Sequence, residues 1–346
     1  MSGHWRFSSF LFLFVFILVG LAFGEDTAVN NSNNCEDCSS CAPEGCGAWF
    51  TGYCDSLWTV RADGLLLHRS KPGNTVLVVN NDDAPIFNAN EFDLGISAGW
   101  DISIIRRCVL GTQWGIEGLY YSVDNWSASR GVERSADGAW VTFEGYYIGN
   151  DYPQDVWGDY RSGLHNIELN ARRAIGCRGD FLIGFRYIDL RERMDIFMNT
   201  LYPDGSRNFG TYDIQASNEL SGIQVGFDGH IFSRGRLTVD GLVKAGVFND
   251  SAGNSAVLTQ QHIIEPHYSA ASANHTASLE EMAFTAVYEL NSNWSFRAGY
   301  QLMWLQGVAL ASDQVAVSDI ESHIATVDTD GSLFYHGAIL GLECNF

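Results

Sequence analysis

From Phe92 to Ile104 the even-numbered residues Phe92, Leu94, Ile96, Ala98, Trp100, Ile102 and Ile104 are all apolar. The odd positions between them, Asp93, Gly95, Ser97, Gly99, Asp101 and Ser103, are small or charged. A period of two sends successive side chains to opposite faces of a strand and is useless to a helix. The pattern returns at Ile223, Val225 and Phe227 against Gln224, Gly226 and Asp228, and at Val239, Val243 and Val247 against Asp240, Lys244 and Gly246. It returns again at Trp294, Phe296, Ala298, Tyr300, Leu302 and Trp304 against Ser295, Arg297, Gly299 and Gln301. Beyond Phe23 no apolar stretch is long enough for a spanning helix. A membrane-embedded form must therefore be a closed barrel, in which every backbone polar group finds a partner.

Marking each alternating segment predicts an all-β chain, a transmembrane antiparallel up-and-down barrel of ten strands. These are 57–68, 92–106, 112–124, 163–175, 180–193, 218–232, 235–248, 278–290, 293–309 and 333–346. The connectors at 107–111, 176–179, 233–235 and 291–292 are tight, whereas those at 69–91, 125–162, 194–217, 249–277 and 310–332 are long. Short periplasmic turns alternating with long outer loops are the habit of outer-membrane barrels, and both termini then face the periplasm. The 125–162 connector, with Tyr146, Tyr147 and Ile148, has room for another hairpin, so twelve strands is the alternative count. Hydrophobic residues at 46% with a mean hydropathy of only −0.05 fit the same interleaving.

Ahead of the barrel, Arg6, the apolar run Phe10–Phe23 and the small residues Ala22 and Gly24 read as a signal peptide over 1–24. Residues 25–56 then form a Cys-rich periplasmic segment carrying Cys35, Cys38, Cys41, Cys46 and Cys54. In an exported chain these are read as disulfide candidates with Cys108 and Cys177, rather than as metal ligands. Five is odd, so at least one bond to the barrel is expected; Cys344 faces lipid by parity. The closing Phe346 resembles the signal by which such barrels are recognised by the barrel assembly machinery.

With the apolar face toward outer-membrane lipid, the charges Arg61, Asp63, Asp93, Asp101, Glu117, Glu168, Arg172, Arg186, Asp240, Lys244, Glu281, Glu289, Arg297 and Glu343 turn inward. A ten-stranded lumen is only slightly wider than the eight-stranded kind that side chains fill, so these charges are expected to pair as a structural network. The tight turn at 176–179 sets 174 opposite 180, 172 opposite 182, and hence Glu168 opposite Arg186. A net charge of −21 argues against nucleic-acid partners.

Several segments, in order, resemble the β-barrel porin family found widely in planctomycete-type bacteria. They are Trp58-Thr-Val-Arg-Ala-Asp-Gly-Leu-Leu-Leu-His-Arg69, Ile167-Glu-Leu-Asn170, Gly184-Phe-Arg-Tyr-Ile-Asp-Leu190, Leu220-Ser-Gly-Ile-Gln-Val-Gly226 and Phe334-Tyr-His-Gly337. The resemblance covers roughly residues 49–346 by motif reading. It implies an outer-membrane barrel of porin type and brings no catalytic residues.

The expected function is porin-like: a passive pore for small solutes, or a structural barrel with a charged lumen. An adhesive surface barrel and a barrel hydrolase are the alternatives. The hydrolase reading would draw on Asp82, Asp83 and the histidines His262, His267 and His275, which fall in one long connector. No carboxylate pattern fixes those histidines as a metal site, no nucleophile elbow or phosphate loop is present, and no cofactor is implied.

Overall fold

The structure, a computed structural model, describes residues 57–346 except 136–138, 144–145, 151–153, 176–178, 262–264 and 321–322. The expected signal peptide, the five cysteines of 25–56, Cys177 and His262 lie outside the described residues.

Ten antiparallel strands close into one barrel. They are β1 (Trp58–Arg69), β2 (Ile96–Arg106), β3 (Trp114–Ser135), β4 (Gln154–Ile175), β5 (Gly179–Leu201), β6 (Arg207–Arg234), β7 (Leu237–Gln260), β8 (His267–Glu289), β9 (Trp294–Val308) and β10 (Gly331–Asn345). Each pairs with its neighbours in sequence, and β10 closes on β1 from Thr59↔Asn345 to Arg69↔Tyr335. At the end carrying the tight connections, Gly235 at φ 63° supplies the left-handed backbone that the two-residue turn between β6 and β7 requires.

The count of ten holds, and the twelve-strand alternative does not. The extra hairpin in 125–162 exists, Ala139–Phe143 against Tyr146–Asn150, but it joins Val76–Val79 and Pro85–Asn88 in a separate four-stranded sheet. The strands are also longer at the loop end than the alternation suggested. The expected connector 194–217 shrinks to a hairpin between Leu201 and Arg207, and that at 249–277 to the stretch between Gln260 and His267.

The reason is an inversion of polarity partway along each tall strand. On β5 the outward residues Phe181, Ile183, Phe185 and Tyr187 give way to Asp189, Arg191, Arg193 and Asp195, while the inward side changes from Asp180 and Arg186 to Ile188, Leu190, Met194 and Ile196. β6 mirrors it, with Ile223, Val225 and Phe227 outward beside Gln224, and farther up Tyr212, Ile214 and Leu220 inward. About 9–11 residues suffice for a tilted strand to cross a bilayer. The 23 residues of β5 therefore carry it well past the apolar belt. Beyond the belt water lies outside and the apolar side chains must turn in.

β3 to β8 form this tall wall, while β1, β2, β9 and β10 stop lower. The upper interior is a dry core. Tyr160, Met194, Ile196, Tyr212 and Ile214 of the wall pack with Leu77, Phe87, Phe92 and Leu94 of loop 70–95. Ala309, Leu310, Ala311, Val315 and Ile320 of loop 309–330 complete it.

Within the belt the register is fixed by burial. Trp100, Val225 and Tyr300 are 44–47% exposed on the outer face, whereas Gln224 and Gln301 are 3% and 7% exposed. A lipid-phase photolabel is expected to mark Trp100, Val225 and Tyr300 and to spare Asp101, Gln224 and Gln301. The opposite pattern, read by peptide mass spectrometry, would mean a one-residue slip of every strand.

Candidate functional site

The inward-facing residues of the belt build one charged layer across the barrel. Its hub is Arg186, fully buried, whose guanidinium donates to Glu281 Oε2 (2.7 Å), Asn166 Oδ1 (2.6 Å) and the Tyr121 hydroxyl (2.9 Å). Glu168, its direct cross-strand neighbour, lies 3.4 Å from it and also binds Lys244 Nζ at 2.8 Å. The register of β4 on β5 pairs Ala174 with Asp180 and Arg172 with Leu182, which places Glu168 opposite Arg186.

Toward the turn end a second hub, Arg172, reaches Glu117 (2.8 Å), Asp180 (3.1 Å) and Asp228 (2.6 Å). A third group joins Arg61 to Glu343 (2.8 Å), and Arg297 to Glu343 (3.0 Å) and Asp63 (3.4 Å). Asp240 is held by His230 at 2.5 Å. The side chains leave a central cavity of about 80 Å³ lined by Arg61, Asp63, Asp101, Glu168, Arg172 and Lys244, among others. Such pairing offsets the desolvation that an isolated buried charge would suffer.

Two residues expected inside the lumen are not there. Asp93 precedes β2, which begins only at Ile96; it is exposed and meets Lys71 at 3.5 Å. Phe92 and Leu94 alternate with it, but they belong to the upper core. Glu289 is the last residue of β8 and is exposed at the rim. His267 and His275 stand on β8 rather than in a loop. Among the described residues no three His, Cys, Asp or Glu side chains converge as metal ligands.

Sequence reasoning missed a second, higher site. Arg69 and Glu192, both buried, form an ion pair above the cavity. Glu192 also accepts from the Tyr160 and Ser162 hydroxyls and from the backbone N–H of Ala311 (3.1 Å). Asn218 grips the same segment, donating to Ala309 O (2.9 Å) and accepting from Ala309 N (2.6 Å). Loop 309–330 is thus fastened inside the wall by groups on β5 and β6. Asp313 ties it to loop 70–95 by accepting from Thr75 (3.3 Å), and burial pushes the Asp313 carboxyl above its usual range. No sequence signal marked Arg69 or Glu192: Arg69 falls just past the strand expected at 57–68, and Glu192 lies where the apolar face has already turned inward.

Residues 159–346, more than half of the chain, match the family described as "Putative beta barrel porin-7 (BBP7)". The chain belongs to this family. Membership carries the outer-membrane setting with it and agrees with the apolar outer belt. No curated protein matches the chain. Solved structures that it resembles include the outer membrane protease OmpT from Escherichia coli, at 9% identity, covering 84% of this chain and 97% of that one with a TM-score of 0.47. The translocator domain of the autotransporter NalP from Neisseria meningitidis follows at 8% identity, 98% and 97% coverage and a TM-score of 0.34. The Pseudomonas putida toluene transporter TodX stands at 8% identity, 84% and 90% coverage and a TM-score of 0.28.

Proposed function

We propose that this member of the barrel porin family is a closed, structural barrel in the form described, and that any passage of small solutes requires loop 309–330 to leave the lumen. The observation that carries the reading is the double seal. A paired charged layer leaves about 80 Å³ at the belt, and above it Leu310, Val315 and Ile320 are buried within the wall. A conducting pore needs a continuous wet path, which a packed apolar plug does not offer. The role is non-enzymatic. Export through the 1–24 leader, assembly by the barrel machinery and oxidation of the 25–56 cysteines belong to the same reading.

Planar-bilayer recording tests it. The wild-type protein is expected to be silent, and a variant with 310–329 replaced by a short Gly-Ser link is expected to give steady unitary currents. Steady currents from the wild type would overturn the closed reading. A silent deletion variant that still folds would show that the charged layer alone seals the barrel and would remove loop 309–330 from the mechanism.

A further inference from the structure

High on the outer side of β4 stands an aromatic ring that lipid does not account for. Above Ile167, which still belongs to the apolar belt, the outward residues are His165, Gly163, Arg161 and Asp159, followed by Trp157, 39% exposed. Ten residues of strand carry the chain about 34 Å, so even on a tilted strand Trp157 is clear of the interface where aromatic girdles sit.

Its neighbours hold the ring upright. On β5 its direct partner Phe197 stacks on it, with ring centroids 5.3 Å apart and planes 15° from parallel. On β3 its direct partner is Gly131, where a Cβ would come within 2.8 Å of the Trp157 Cβ. One indole face is therefore covered, and the other stays open above bare backbone. The open side is a hollow of about 850 Å³ lined by Ser129, Arg130, Gly131, Asp155 and Trp157, among others. Along β4, Asp155 and Asp159 flank the ring on the same face, each about 7 Å along the strand from it. Ser129 donates to Asp159 Oδ1 at 2.5 Å. The indole N–H donates to no described residue.

We propose that this hollow binds a neutral saccharide, with one hexopyranose ring stacked on the open face of Trp157. A pyranose has an apolar face of C–H groups and a rim of hydroxyls. The site matches both, offering one aromatic face and, beyond each end of it, a carboxylate to accept from hydroxyls. A quaternary cation is best held by a cage of several rings, and only one ring face is open here. An apolar protein segment would require a wider patch than a single ring bordered by charge. The hollow lies outside the wall, so the inference is independent of loop 309–330 and of whether the barrel conducts.

The experiment uses the full chain folded in lauryldimethylamine oxide, a detergent without a sugar headgroup. The probes are maltohexaose, cellohexaose and β-1,4-mannohexaose. Calorimetric titration is expected to show saturable binding of at least one of them, and saturation-transfer NMR to show the strongest transfer to the C–H protons of one ring face. Trp157→Ala is expected to weaken binding at least tenfold, and Trp157→Phe less. Gly131→Val, which fills the hollow and keeps the indole, is expected to abolish it. Unchanged lipid-phase labelling of Trp100 and Tyr300 serves as the folding control for each variant. Failure of all the probes to bind the folded wild type would overturn the proposal. Equal affinity in wild type and Trp157→Ala would overturn it as well, by placing the sugar elsewhere. Choline binding that depends on Trp157, with no sugar bound, would replace it with a cation site.

Discussion

Arg186→Met is expected to cost the folded barrel about 3–5 kcal/mol, the usual penalty for breaking a buried ion pair from one side. The guanidinium touches groups on β3, β4, β6 and β8, and each would lose its partner differently. Glu168 would keep Lys244 at 2.8 Å. Glu281 has Arg186 as its ion-pair partner in the described layer, so it would lose that contact and keep only its cross-strand neighbour Lys244, which is already engaged with Glu168. The coupling should therefore be largest with Glu281, although Glu168 is the direct cross-strand neighbour. In a double-mutant cycle on unfolding from detergent, Arg186→Met with Glu281→Gln is expected to lose less than the sum of the single changes. Additive losses would mean that the carboxylate is hydrated and that the layer is looser than its distances indicate.

The difference between Glu168 and Glu281 marks how far the sequence could be read. Within the belt one face meets lipid, so a period of two reveals each strand, and the short spacing between β4 and β5 in the sequence sets the Glu168–Arg186 register. What the sequence could not show is which charges meet across the lumen. Contacts such as Arg186 to Glu281, 95 residues apart, depend on the closure of all ten strands.

Above the belt the reading failed for a different reason. Arg191 and Arg193 are exposed on the outer side, with Asp189 and Asp195 paired beside them, while Ile188, Leu190, Met194 and Ile196 face inward, so the alternation persists with its sign reversed. A search for apolar residues on the lipid face treats that reversal as the end of a strand. The plug residues Leu310, Val315 and Ile320 have no strand period at all, and their burial follows from the wall that surrounds them.

Glu192 is where the wall and the plug meet, and Glu192→Leu is expected to free loop 309–330 while leaving the belt intact. Its carboxylate accepts from Arg69, from the Tyr160 and Ser162 hydroxyls and from the N–H of Ala311. Leucine would leave the fully buried Arg69 without a counterion, a penalty of about 3–5 kcal/mol that the chain can relieve only by letting water in. The cheapest route for water is outward movement of the loop, because the barrel strands are locked by their ladders and the loop is held mainly by side chains. Asn218 would still grip Ala309 through two hydrogen bonds, so release should begin beyond that residue. Limited proteolysis of the folded protein is expected to cut within 310–330 at least tenfold faster in Glu192→Leu than in the wild type. Glu192→Gln, which keeps an acceptor for Ala311 N but loses the charge facing Arg69, should fall between them. The belt gives an internal control, since lipid-phase labelling of Trp100 and Tyr300 should not change. Equal cleavage rates in all three proteins would mean that apolar burial alone holds the loop, and that the Arg69–Glu192 pair serves the wall rather than the plug.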